Sequence, residues 1–310
     1  MNVLRKLSTH VALLPARLLG RLPLPLARVL VRPLGHLLRL AMASRRRVVE
    51  RNLALCFPEL DAVERGQLSR RHFRNLAESL AEVAVTWQRP GDFDERFGTV
   101  TGLEHLEAAR ADGRGVMLIT GHTTCLEMGA RLFGQRIEAA GIYRPLSNPV
   151  LENFQNQGRS RYALNMLSRH DLRGMVRHLR SGGVLWYAPD QDFGLSRSTF
   201  APFFGIETAT ANGILELARL GRAVVVPMYP VKDEKTGRVT VHIEAAFNDF
   251  PGDDARSDLA RFNAFLERYV RMAPAQYWWL HRRFKTAPPG DPDRYAASAP
   301  TDPMNSGKKA

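Results

Sequence analysis

Three short runs in this chain are apolar over nearly their whole length: GVMLIT (115–120), GGVLWYAP (182–189) and RAVVVPMYP (222–230). A strand with one face in water alternates apolar and polar residues, so a strand lacking a polar side must be covered on both faces. Helical patterns lie between and after the runs, over 123–135, 149–157, 171–180, 207–220 and 256–272. RVTVHIEA (238–245) alternates and reads as a more exposed strand. The expected fold is α/β, a largely parallel mixed sheet flanked by helices.

Upstream, 59–87 shows helical spacing of Leu68, Phe73, Leu76, Leu80, Val83 and Val85 among charges, closed by Arg89-Pro90. Beyond residue 287 the chain turns rich in Pro, Ala, Asp and Ser, a composition expected to stay disordered. The chain thus divides into a segment 1–43, a helical region 44–90, an α/β domain 91–287 and a tail 288–310. A mean hydropathy of −0.25 argues against a polytopic membrane protein. Two cysteines, Cys56 and Cys125, make no disulfide framework, and a reducing compartment is the simpler reading.

The formal charge of +13 is unevenly placed. Residues 1–51 hold eleven Lys/Arg and one acid, Glu50, while the remainder carries only +3. In the first segment Arg17, Arg21, Arg28, Arg32 and Arg39 recur at intervals of 4, 7, 4 and 7, which puts them on one side of a helix with Leu and Val opposite. No 18 uninterrupted apolar residues occur there, so a basic amphipathic helix on an anionic membrane fits better than an unaided span. Pro15, Pro23, Pro25 and Pro33 are expected to break it into short pieces. No small-residue cleavage site marks a signal peptide. A surface helix packed on the body is the competing account, though few surface helices carry leucine this densely.

At the end of the first apolar run comes GHTTCLE, with His122 at the turn and Glu127 five residues later. Ligands of open α/β sheets gather at the carboxyl ends of strands. A carboxylate on one imidazole nitrogen fixes the tautomer and leaves the other nitrogen as a base, the orienting half of a triad without its own nucleophile. Taken alone, a histidine after a strand is more often a satisfied core residue. Zinc is not expected, since no H-E-x-x-H or ligand cluster occurs. Cys125, near a helix start, is a weaker candidate nucleophile. The second run ends in Asp190-Gln191-Asp192, two acids able to grip a metal or merely to cap a turn. Arg144, Arg159, Arg161, Arg282, Arg283 and Lys285 offer guanidinium and ammonium groups for phosphate or carboxylate oxygens. The body's small net charge argues against nucleic acid as partner.

The order of motifs resembles one family. SRRRVVERNLALCFPEL, GHTTCLEMGARL, YRPLSNPVLENF, GRSRY, WYAPDQDFG, STFAPFFGIETATANG, VVVPMYP and QYWWLHRRFKT stand as in the lipid A lauroyl/myristoyl acyltransferases, late enzymes of endotoxin assembly, over about 44–290. The resemblance implies transfer of a fatty acyl chain from acyl carrier protein to a hydroxyl of a 3-hydroxyacyl chain on a Kdo-bearing lipid A precursor, without cofactor or metal. It implies His122 as general base oriented by Glu127, with Arg159 and Asp190 binding substrate or stabilising the transition state, and Pro227 in the superfamily's late proline block; Arg144, read from the residues alone, is a further candidate for the same role. It also implies the cytoplasmic face of the inner membrane, with a peripheral or single-pass N-terminal segment. WYAPDQDFG resembles the lauroyl-type branch. Three rival readings stand beside this one. They are an acyltransferase for another glycolipid or lysophospholipid, a metal-dependent glycosyltransferase using Asp190 and Asp192, and a membrane-surface binding protein without activity.

Overall fold

A computed structural model describes residues 3–296. Five helices come first: α1 (Val3–Ala12), α2 (Leu14–Leu19), α3 (Leu24–Ala41), α4 (Ala43–Cys56) and α5 (Ala62–Gln88). A reciprocal capping box starts α5, with Asp61 Oδ1 accepting the Glu64 N–H and Glu64 Oε2 accepting the Asp61 N–H, both at 2.8 Å.

The body then alternates: β1 (Gly98–Thr101), α6 (Leu103–Arg110), β2 (Val116–Ile119), α7 (Leu126–Gly134), β3 (Ala140–Tyr143), α8 (Pro149–Arg159), β4 (Asn165–Ser168), α9 (Leu172–Arg180) and β5 (Val184–Tyr187). A hairpin follows, β6 (Ser198–Phe203) with β7 (Ile206–Ala211), and then α10 (Gly213–Gly221), β8 (Val224–Lys232), β9 (Val239–Ile243) and α11 (Ala255–Met272). Seven strands form one sheet in the order β1-β9-β8-β2-β5-β3-β4, parallel at every pairing except β8 with β9.

The all-apolar strands are where the covering is thickest. Every residue of β2 is buried, and successive side chains enter opposite layers. Met117 and Ile119 join α9, α10 and α11, whereas Val116 and Leu118 join α5, α6 and α7. The expected α/β sheet is therefore the one observed. One element departs from expectation: 207–220 is not a single helix. Ile-Glu-Thr-Ala-Thr-Ala alternates and carries β-branched residues, so 206–211 pairs with β6 before α10 begins.

The N-terminal helices correct two further expectations. The prolines mostly start helices rather than break them: Pro15 and Pro25 lie in first turns, where the missing N–H costs nothing, and Pro23 precedes α3. Pro33 stays inside an unbroken α3, on its exposed side. Nor are the arginines of α3 free on its outer side: each meets a carboxylate, although Arg32 stays half exposed. Arg28 is buried, its Nε 2.8 Å from Glu82 on α5, and Arg32 Nε lies 2.8 Å from Glu78. Arg39 pairs with Glu50 of α4 at 2.9 Å. Lys232, at the end of β8, closes the network on Glu78 (2.9 Å) and Glu82 (2.7 Å) with only 1 % of its side chain exposed. Helix α3 can press this closely on α5 because residue 35 is glycine; a Cβ there would sit 2.9 Å from the Phe73 carbonyl oxygen. Leu26, Val29, Leu30, Leu37 and Leu40 are left on the outside, each between 47 and 58 % exposed. Among the described residues no helix is long and apolar enough to cross a membrane.

Residues 288–296, expected within a disordered tail, are instead laid against the body. The Tyr295 hydroxyl donates to Asn52 Oδ1 and accepts the Phe284 N–H at 3.1 Å, and Arg294 Nη1 donates to the Glu207 carbonyl at 2.8 Å. The rest of that tail, 297–310, lies outside the described residues.

Candidate active site

Parallel pairing of β2 with β5 sets Ile119 beside Tyr187. His122 and Asp190 each stand three residues beyond that pair, so two loops leaving neighbouring strands bring them together at the sheet's carboxyl edge. Asp190 grips His122 twice: Oδ2 accepts its backbone N–H at 2.9 Å and Oδ1 meets ring Nδ1 at 2.5 Å. Gly121 leaves room for this, since a Cβ there would press on Leu266 at 2.8 Å and on Asp190 Oδ2 at 3.4 Å. The His122 side chain keeps about a third of its surface open (32 %), while that of Asp190 keeps 2 %. Nδ1 is thus engaged and Nε2 is the nitrogen free for chemistry.

The electrostatics follow from the pairing. Burial alone would push the Asp190 carboxyl up, but the His122 charge and hydrogen bonds outweigh it and hold the carboxyl at about 2. Burial would push the imidazole down, and Asp190 outweighs that too, raising His122 above the ordinary histidine range.

Glu127 does not hold the imidazole. Helix α7 begins at Leu126, and residues 122–124 instead run antiparallel beside 276–278: Thr123 bridges Tyr277, Thr124 N–H donates to the Gln276 carbonyl at 2.8 Å and Trp278 N–H to the His122 carbonyl at 3.0 Å. Glu127, in the first turn of α7, therefore faces α5 and the end of α8. Arg159 donates to it through Nε at 3.1 Å and through Nη2, Trp87 Nε1 donates at 2.8 Å, and the Tyr162 hydroxyl donates to its second oxygen. Burial would raise this carboxyl, but Arg159 and the neighbouring donors hold it below the usual range. Asp190 and Arg159 belong to separate clusters, the one on His122 and the other on Glu127.

Both clusters border one cavity of about 330 Å³. His122 and Arg144 sit past the carboxyl ends of β2 and β3, whereas Ala139 and Ala140 lie at the amino end of β3. The cavity therefore runs along the strand direction for roughly 16 Å, at about 3.3 Å per residue. Away from its polar edge it is walled by Ala130, Phe133, Gly134, Ala163, Met166 and Trp186. This is the shape and lining of a slot for an apolar chain with a base at its opening.

The remaining candidates fall elsewhere. Cys125 is buried, and its thiol is pushed up to about 12 by burial, which disarms it as a nucleophile. Asp192 points away from Asp190 and accepts the Thr286 N–H at 2.7 Å and its hydroxyl at 2.8 Å. The two acids thus serve different bonds and do not converge as a ligand pair. Among the described residues no group of three His, Cys, Asp or Glu side chains is set to hold a metal ion. Arg283 is 1 % exposed and serves the core, donating to the Ala209 carbonyl at 2.6 Å and to Thr210 Oγ1 at 3.1 Å. Arg161 donates to the Trp87 carbonyl, Arg282 faces Asp293 at 3.7 Å, and Lys285 is exposed. Trp87, Tyr162 and His281 are site-supporting residues that the sequence reading had not singled out.

A sheet-edge imidazole fixed by a carboxylate and open to an apolar slot can handle a proton beside a bound apolar chain. Comparison with known proteins makes the class definite. Residues 1–286 match the family of bacterial lipid A biosynthesis acyltransferases, and the chain belongs to that family and is an acyltransferase enzyme. It is 40 % identical over 280 residues to the lipid A biosynthesis lauroyltransferase of Escherichia coli (strain K12), covering 90 % of this chain and 91 % of that one. It is 36 % identical over 276 residues to the palmitoleoyltransferase of the same strain (89 % and 90 % covered) and 31 % identical over 259 to its myristoyltransferase (83 % and 80 %). Among solved structures, the 1-acyl-sn-glycerophosphate acyltransferase of Thermotoga maritima aligns with a TM-score of 0.39 at 14 % identity, over 80 % of this chain and 97 % of that one.

Proposed function

We propose that this acyltransferase moves a fatty acyl chain, of lauroyl type, from acyl carrier protein to a hydroxyl of a 3-hydroxyacyl chain on a Kdo-bearing lipid A precursor. The observation that carries the reading is the His122 ring, tied to Asp190 through Nδ1 and open beside the apolar cavity. His122 Nε2 takes the proton of the acceptor hydroxyl as its oxygen attacks the thioester carbonyl. The tetrahedral intermediate collapses, the C–S bond breaks, and the imidazolium returns the proton to the leaving thiolate. Asp190 orients the ring and stabilises its charge. Glu127 keeps the role of a cavity wall, holding Arg159 where its guanidinium borders the slot. The buried Cys125 thiol supports a direct transfer with no acyl-enzyme. Arg144 is exposed at the opening and makes no ion pair among the described residues, which suits a phosphate of the acceptor.

Membrane attachment, at the cytoplasmic face of the inner membrane, rests on the leucine face of α3 rather than on its arginines. Leu26, Leu30, Leu37 and Leu40 form one outward stripe with spacings of 4, 7 and 3, about 21 Å long at 1.5 Å per residue. Replacing Leu30 and Leu37 by serine is expected to lower partition into vesicles while leaving the melting temperature unchanged; unchanged partition would remove the stripe from the interface.

Mass spectrometry of the lipid product tests the activity. Purified protein receives a tetra-acylated Kdo-bearing precursor and a panel of acyl carrier protein thioesters, with His122→Ala in parallel. A gain of one acyl chain, absent with the variant, supports the reading and names the preferred chain. No gain from folded protein with any donor ends it and directs the search to other glycolipids or lysophospholipids.

A further inference from the structure

The segment 278–286, Trp-Trp-Leu-His-Arg-Arg-Phe-Lys-Thr, was expected to present cations, yet Arg283 is a core residue and Arg282 pairs with Asp293. What the segment does hold is the catalytic edge. Its Trp278 N–H donates to the His122 carbonyl, fixing the backbone of the base. Its Thr286 binds the Asp192 carboxylate. Between them, His281 Nε2 accepts the Asp192 N–H at 2.9 Å. Asn52 Nδ2 in turn donates to the carbonyls of Trp279 (2.8 Å) and His281 (2.9 Å), so the backbone that carries the imidazole is itself tied to α4.

An imidazole nitrogen that accepts an N–H carries no proton of its own, so the bond assigns His281 the neutral Nδ1–H tautomer. We propose that His281, as a neutral imidazole, is a positioning residue for acyl transfer: it holds the Asp190–Asp192 turn so that both oxygens of Asp190 reach His122. This rests on the reading of His122 as the base. The turn leaves β5 and has its side-chain anchor at Asp192, but its main chain is held at that residue by His281. Without the acceptor the N–H is left unmet beside the site, and the turn can shift. A displacement near 1 Å at a catalytic pair is enough to cost about 100-fold in rate.

Charged and titratable groups face His281 from three segments: Asp190 and Asp192 after β5, His122 after β2 and Arg283 from its own stretch. Burial is the largest influence and holds the imidazole below the ordinary histidine range despite the two carboxylates. His122 lies above that range, so on acidification His122 takes its proton first and His281 second.

The test compares His281→Leu, which removes the acceptor, with His281→Gln, whose amide oxygen can accept the N–H and takes no proton. At pH 8 the leucine variant is expected to lose kcat about tenfold or more, with the donor KM near its wild-type value because the slot is untouched. The glutamine variant should retain kcat to within about threefold, the scale of one altered hydrogen bond. On acidification, log kcat of the wild type should fall with slope one and steepen toward two below about pH 6.5, the ordinary imidazole value. His281→Gln should keep slope one throughout. A leucine variant with full kcat, a glutamine variant as impaired as the leucine one, or a second slope surviving in His281→Gln would each overturn the proposal. If His281→Leu does not fold, the slopes of wild type and His281→Gln still decide. His122→Ala, run alongside, separates the two claims: full activity there removes the base itself, whereas a dead His122→Ala beside a normal His281→Leu removes only the role of His281.

Discussion

Asp190 and Glu127 are both buried carboxylates paired with a cation at the same cavity, and they do opposite things. Asp190 turns both its oxygens to His122 and leaves that residue's far nitrogen and a third of its surface open. Glu127 is saturated by Arg159, Tyr162 and Trp87, and all four groups hold one another still. A pair with one open end can pass a proton; a closed cluster can only keep a wall in shape. On the proposed reading, chemistry belongs to the Asp190 side and chain binding to the Glu127 side.

The strongest attempt to break this division is at the open pair. His122→Ala and Asp190→Asn are each expected to lower kcat on the order of 10³–10⁴-fold, the range seen when a base or its orienting carboxylate is removed. Asp190→Asn should lose some thermal stability with the ion pair but still fold, because the amide keeps the shape and one acceptor. Steady-state kinetics beside thermal melts would check this, and an Asp190→Asn enzyme of full activity would dissolve the distinction.

Glu127→Ala should show the reverse balance. It strands the Arg159 guanidinium in a largely buried place, and removing one partner of a buried pair costs about 3–5 kcal/mol. The loss should appear in chemical denaturation. Glu127→Gln, which keeps the Trp87 and Tyr162 partners, is expected to lose less stability and no more than about 100-fold in kcat, the scale of a misplaced binding group.

The pH dependence sharpens the same contrast. Because Asp190 raises His122, activity at saturating substrate should climb about tenfold per pH unit from about 6.5 toward a midpoint above that value, then level off. Stability runs the other way at that point. The ion pair's contribution is fully present below the unfolded imidazole's 6.5 and is lost as pH rises through the raised folded value. At the acid end it is lost as pH falls from the unfolded carboxylate's ordinary value of about 4 through about 2. A rate midpoint below 6.5 would contradict the pairing.

The smallest effect is expected on the wall itself. Ala163→Phe fills part of the slot far from His122 and should shift preference toward shorter donor chains by roughly tenfold, about the value of one or two methylenes in an apolar pocket. Competition between acyl donors of different length would measure it. The acid limb of the pH profile should not move.

How much of this was legible beforehand differs sharply between strands and partners. Runs such as GVMLIT announce strands covered on both faces because no polar residue gives them an outside. Ile-Glu-Thr-Ala-Thr-Ala was read as helix because its alternation is short and merges with the apolar start of α10. His122 was visible as a histidine at a strand's end, but its partner was sought nearby in sequence, at Glu127. Proximity along the chain misled because 122–124 pairs with 276–278 before α7 begins. The true partner lies 68 residues away, and finding it requires the β2–β5 register, which no single strand carries. Once the two strands are aligned, TGH and APD fall at equal distance past Ile119 and Tyr187. The arginines of α3 were likewise placed correctly on one side of a helix, but nothing local says which side faces Glu78 and Glu82.

That last arrangement also sets a timetable. Arg28 is translated 54 residues before Glu82 and 204 before Lys232. At about 5–20 residues per second, α3 waits roughly 3–11 s for its glutamates and 10–40 s for the lysine that completes the network. Until the glutamates are made its leucines are ready while Arg28 and Arg32 lack the carboxylates they will meet. The first-made helices are thus among the last to be locked in place, and an encounter between α3 and a bilayer can precede the completion of the enzyme to which it is attached.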